Sequence, residues 1–187
     1  MARALLVVTT LIASWLGMQA VHELGHVIGA SLTGGKVARV VLHPLSLSRT
    51  DLSANPSPLA VAWTGPALGV LLPLALWGGA ASLKAPLLYL PRFFAGFCLV
   101  ANGAYIGSGL LSAVGDSETM LRHGAATWRL ALFASTSTPL GFWLWHGQGA
   151  DFGLGGEGRA VNTTATAITT LVGAVLAVLG FTIWGDG

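Results

Sequence analysis

The feature that most constrains this chain is a run of five residues, His22-Glu23-Leu24-Gly25-His26, set inside an apolar stretch covering about residues 4–32. A helix turns about 100° per residue, so positions four apart share a face and His22 and His26 can offer imidazole nitrogens to one metal ion. Glu23 lies beside that point, where a carboxylate can take a proton from an attacking water. Ionisable side chains near the centre of a membrane helix cost about 2.5 to 3.5 kcal/mol each on insertion scales and are kept mainly for function. Three of them within five positions read as a metal site at membrane depth. The competing reading is a buried polar cluster that holds helices together.

Composition supports the membrane setting. Hydrophobic residues make up 53% of the 187 positions and charged residues 9%, and the mean hydropathy is +0.73, which no ordinary soluble domain approaches. Crossing a hydrocarbon core takes roughly 20 apolar residues. Five stretches qualify, at about 4–32, 59–82, 86–113, 127–145 and 161–184. The expected fold is an all-α polytopic membrane protein with a short β segment after the first helix. It forms one domain over residues 1–187, with its core at 4–121 and two additional helices at 127–145 and 161–184. Gly25 and Gly29, Gly65 and Gly69, and Gly103 and Gly107 are each spaced by four, which places each pair on one face for close packing or arises by chance in a glycine-rich chain.

A net charge of +2 with no basic run gives no footprint for nucleic acid. The single Cys98 excludes an intrachain disulfide and reads as a small apolar residue in the third span. Arg3 followed by an apolar stretch and Ala20 resembles a secretory signal, but the apolar character resumes through Val27-Ile28-Gly29-Ala30, so one uncleaved helix is expected. With five spans, Lys36, Arg39, Arg49, Arg122 and Arg129 face Arg3, Lys84, Arg92 and Arg159 across the membrane. This slight excess leans toward an external N-terminus with the first and third loops cytoplasmic.

Beyond the first helix, Gly34-Gly35 ends the helical pattern and residues 36–47 alternate, with Val37, Arg39, Val41 and His43 on one face. A strand is expected here, paired with residues 45–49 across Pro44. Such a segment can pair with the main chain of an unwound substrate or simply cap the bundle. The glycine-rich stretch 147–158 reads as a mobile loop.

Two histidines do not complete a catalytic zinc site, which takes three protein ligands and keeps a fourth position open. Asp116, at the end of the third span, is the leading third ligand, with Glu118, His43, His123 and His146 as further possibilities. Asn102, about four helical turns before Asp116, can bond a substrate main chain or a neighbouring helix. Gly103, Gly107 and Gly109 suggest an irregular third helix lining a polar cavity.

The order of these features resembles the site-2 protease group, the M50 family of intramembrane zinc metalloproteases. The resemblance runs over about residues 5–121: the His-Glu-x-x-His helix, Gly34-Gly35, a strand region, Asn55-Pro56-Ser57-Pro58, Gly65-Pro66 opening the next helix, and a later Asp. Where many members carry an Asn-Pro stretch leading into Leu-Asp-Gly, this chain has Ala113-Val114-Gly115-Asp116-Ser117. The resemblance implies Zn2+ held by His22, His26 and Asp116, Glu23 as the catalytic base, and a membrane protein or peptide as substrate. It also implies a multi-pass protein of a prokaryotic cell (inner) membrane with its site reached from the cytoplasm. A non-catalytic scaffold or chaperone of the same fold is the alternative; a metal transporter would need more polar residues through the spans.

Overall fold

The computed structural model describes residues 1–154 and 160–182. In chain order the elements are α1 (Ala2–Leu32), β1 (Lys36–Val41), β2 (Arg49–Ala54), α2 (Pro58–Ser82), α3 (Tyr89–Ser108), α4 (Gly115–Arg122), α5 (Thr127–Trp145), a 3-10 turn (Gln148–Ala150) and α6 (Thr163–Thr182). Three helices, α1, α2 and α6, are long and apolar enough to cross a membrane. Leu71, Leu76, Leu171 and Val175 among their side chains stand exposed, as lipid-facing residues do. The five apolar stretches each hold one long helix. Of these, α3, with Arg92 and Asn102, and α5, with Arg129 and the run Ser135-Thr136-Ser137-Thr138, are not among the three.

The motif lies in the second half of one continuous helix, and Ala20 sits in its middle. Glycine at position 34, with φ +76°, takes the left-handed conformation that ends it, and the Gly35 N–H donates to the Ala30 carbonyl at 2.7 Å. Pro58 opens α2 at a position where its missing N–H costs nothing. Pro66 and Pro73 lie inside α2 and are buried, which membrane helices tolerate.

The seam between α1 and α2 depends on missing side chains. A Cβ at Gly25 would collide with the Thr64 carbonyl, and one at Gly29 with the Thr64 hydroxyl. The two backbones therefore approach more closely than larger residues would allow, which brings α2 against the motif face of α1.

The hairpin and the third helix differ from expectation. The second strand is Arg49–Ala54 rather than residues 45–49, and it pairs antiparallel with β1 through an irregular register running from Lys36 opposite Ala54 to Val41 opposite Arg49. Residues 42–48 form the connection, which packs against α6, where Gly180 meets the Leu42 carbonyl and Pro44. Gly103 and Gly107 lie within unbroken α3, beside Thr138 and Ala134 of α5. The break comes at Gly109, so Asp116 belongs to the separate short helix α4 rather than to the end of the third span.

In the stretch expected to be a mobile loop, residues 148–150 form the 3-10 turn and Phe152 is buried with Leu6 and Ala165. Residues 155–158 of that stretch, and 183–184 of the fifth span, lie outside the described residues.

Candidate metal centre

Helix α4 turns back from the end of α3 to pack against α2, and the turn depends on what is absent at Gly109. A Cβ there would meet the Ser117 side chain; without it, the Ser117 hydroxyl reaches the Ile106 carbonyl at 3.4 Å and Met120 is buried with Ala62, Ile106 and Leu130. The Asp116 N–H donates to the Tyr105 hydroxyl at 3.1 Å. Asp116 thus reaches the two motif histidines, although it lies 94 and 90 residues from them along the chain.

The three side chains meet at one point. Asp116 Oδ2 is 2.9 Å from His22 Nε2 and 3.2 Å from His26 Nε2, and the two Nε2 atoms are 3.1 Å apart. The other nitrogen of each ring is already committed. Asn102 Nδ2 donates to the Cys98 carbonyl at 2.9 Å, which turns Oδ1 toward His22, and the His22 Nδ1–H donates to it at 2.7 Å. The His26 Nδ1–H donates to the Val61 carbonyl at 2.8 Å. In the neutral imidazoles both Nε2 atoms therefore carry lone pairs. Two such nitrogens and a carboxylate oxygen converge in a buried place, an arrangement that needs a cation among them: a proton shared with the carboxylate or a metal ion.

The residues fit a metal. Zinc bonds of about 2.0 to 2.1 Å in tetrahedral geometry place ligand atoms about 3.3 Å apart, a few tenths of an ångström from the separations seen here. A Cβ on Gly65 of α2 would strike the His26 ring and crowd His22 Nε2, so this glycine makes room for both imidazoles. The donor set of two imidazoles and one carboxylate is one that catalytic zinc uses. Burial pushes the Asp116 carboxyl up, but when the rings carry the shared proton their hydrogen bonds and nearby charge outweigh that and bring its pKa down to about 2, so it is ionised at neutral pH. The described residues thus form a group, His22, His26 and Asp116, that can hold a metal ion.

Glu23 lines the same cavity of about 810 Å3, along with Tyr105, Thr50 and Asn55. The Thr50 hydroxyl, on β2, donates to Glu23 Oε2 at 2.6 Å. Glu23 is 3% exposed, so this bond fixes a carboxylate that has little water around it.

The other histidines stand apart from the centre, and Glu118 borders the cavity without joining the three-residue group. The His43 ring packs on Phe181, His123 Nδ1 bonds the Thr119 carbonyl of its own helix, His146 uses its carbonyl to accept from Arg92, and Glu118 pairs with Arg122. Asn102 bonds His22 and also lines the cavity.

Searches against family models, curated proteins and solved structures find no match. The centre therefore rests on its own geometry.

Thr50, Tyr105 and the Val61 carbonyl escape a reading of the sequence. Tyr105 had a signal, since it lies three residues after Asn102 on the same helical face. Thr50 and Val61 had none. Asn102→Leu is expected to keep the fold, free His22 to rotate and weaken metal binding about 10- to 100-fold, as read by competition with a fluorescent zinc chelator.

Proposed function

We propose that this protein is an intramembrane zinc metallopeptidase of the site-2 protease type, which hydrolyses a peptide bond in or near a transmembrane segment of a membrane protein. The observation that carries the reading is the convergence of His22 Nε2, His26 Nε2 and Asp116 Oδ2 in the cavity that also holds Glu23. Bound zinc would polarise the scissile carbonyl and acidify a water molecule.

The chain supplies the rest. Glu23 takes the proton from the water and passes it to the leaving amine, with Thr50 orienting its carboxylate. Asn102 and the Val61 carbonyl hold both imidazoles in the tautomer that can ligate. The burial of His22, Glu23 and His26 strengthens each of these interactions by keeping bulk water away. We place α3 and α5 across the membrane with the three more apolar helices, as a five-span bundle. We take the site to face the cytoplasm of a prokaryotic cell, as the resemblance implies; the slight cationic excess of the first and third loops supports that orientation.

The test is hydrolysis of a reporter membrane protein by purified protein in lipid vesicles. A chelator is expected to stop cleavage and returned zinc to restore it. Cleavage indifferent to chelation would sink the reading, and no cleavage by zinc-loaded protein across a library of membrane segments would favour a non-catalytic scaffold.

A further inference from the structure

Gln19 lies on α1 one turn before His22 and Glu23 and is 4% exposed. Neither its Oε1 nor its Nε2 has a hydrogen-bond partner among the described residues. A buried amide left in that state is costly, so something beyond the described residues must answer it. Two cavities border Gln19. The smaller, of about 80 Å3, is walled by Leu16, Ala20, Leu42, Leu176 and Leu179, whose side chains offer no hydrogen-bonding atom. The larger is the cavity of the metal centre. Of the two, the larger has further polar side chains on its walls and room for a ligand that both donates and accepts.

Asn55, just past the far end of β2, borders that same cavity, and its Oδ1 is likewise buried without a partner. Unanswered amides on α1 and after β2 thus border the chamber that holds Glu23. A carboxamide combines an acceptor with donors, which is the complement of a peptide unit. A phosphate, with acceptors alone, or an acyl chain, with neither, leaves half of it unsatisfied.

We propose that Gln19 forms a substrate subsite that binds the main chain of an extended polypeptide in this cavity, Oε1 accepting from a peptide N–H and Nε2 donating to a peptide carbonyl. Asn55 Oδ1 accepts from a second N–H farther along the same segment. The inference rests on the peptidase reading and adds to it a positioning residue that reads backbone rather than side chain. This suits a site that must hold an unwound segment of varied apolar sequence.

The test is a binding cycle on zinc-loaded, full-length protein in detergent micelles. The probes are a tripeptide hydroxamate and the set in which each backbone amide in turn becomes an ester, and Kd is measured for wild type and Gln19→Met. The expected result is one ester position that weakens binding to wild type about 3- to 10-fold and has no effect in Gln19→Met, while the other esters weaken both proteins alike. Equal penalties in the two proteins at every position, the result if water alone satisfies the amide, would overturn the proposal. So would undiminished binding of the parent compound by Gln19→Met, or no binding of any probe to zinc-loaded wild type. Gln19→Leu provides a second apolar variant should the thioether pack badly, and zinc content must match wild type in either. The peptidase reading fails separately: no cleavage of any membrane segment by zinc-loaded protein removes the reaction and leaves the ester coupling intact.

Discussion

Glu23→Gln protein is expected to keep its metal and lose peptide cleavage by about a hundred- to ten-thousand-fold. The substitution preserves shape, and the side-chain carbonyl of Gln can still accept the Thr50 hydrogen bond that holds Glu23 in place. What it removes is the basic oxygen. An amide cannot take a proton from water at neutral pH, so the cavity would still bind and orient a substrate without activating the nucleophile. The measurement is cleavage of a reporter membrane peptide in vesicles, with zinc determined on the same samples. Wild-type rates in the variant would remove Glu23 from the chemistry, and loss of zinc with loss of activity would give it a structural role instead.

Zinc is expected to raise the thermal midpoint of the wild-type protein and to leave His26→Ala and Asp116→Ala unmoved. The ligands come from two elements, α1 and α4, so an ion held among them ties α4 to the bundle beyond the contacts of Ser117 and Met120. A ligand that binds only the folded state stabilises it by mass action, by about 4 kcal/mol at a thousand times its Kd. Either substitution leaves two donors, too few for the three-ligand site described here. Unfolding followed by tryptophan fluorescence, with chelator and then with zinc, reads the difference. An equal rise in Asp116→Ala would move the third ligand elsewhere.

The sequence disclosed the parts of this site that sit on one helix. His22, Glu23 and His26 are legible because helical periodicity alone puts them together, and the positions of the five long helices follow from apolar runs. Asp116 was one of several possible third ligands, since choosing among them needed the break at Gly109 and the contact of Ser117 that turns α4 back. Thr50 was hidden by register. The strands alternate poorly between exposed and buried positions, so no local pattern specifies which residue of the second strand faces Glu23, and the pairing expected at 45–49 falls short of the observed 49–54. Gln19 could have been noticed, as a polar residue in an apolar helix one turn before the motif. Its lack of a partner needed the structure.

The central claim is that His22, His26 and Asp116 hold one metal ion. Elemental analysis of purified wild-type protein beside His22→Ala and Asp116→Ala tests it most directly. The expected result is about one zinc per chain in wild type and none in either variant. Well-folded wild-type protein without metal, or variants that retain it, would contradict the account.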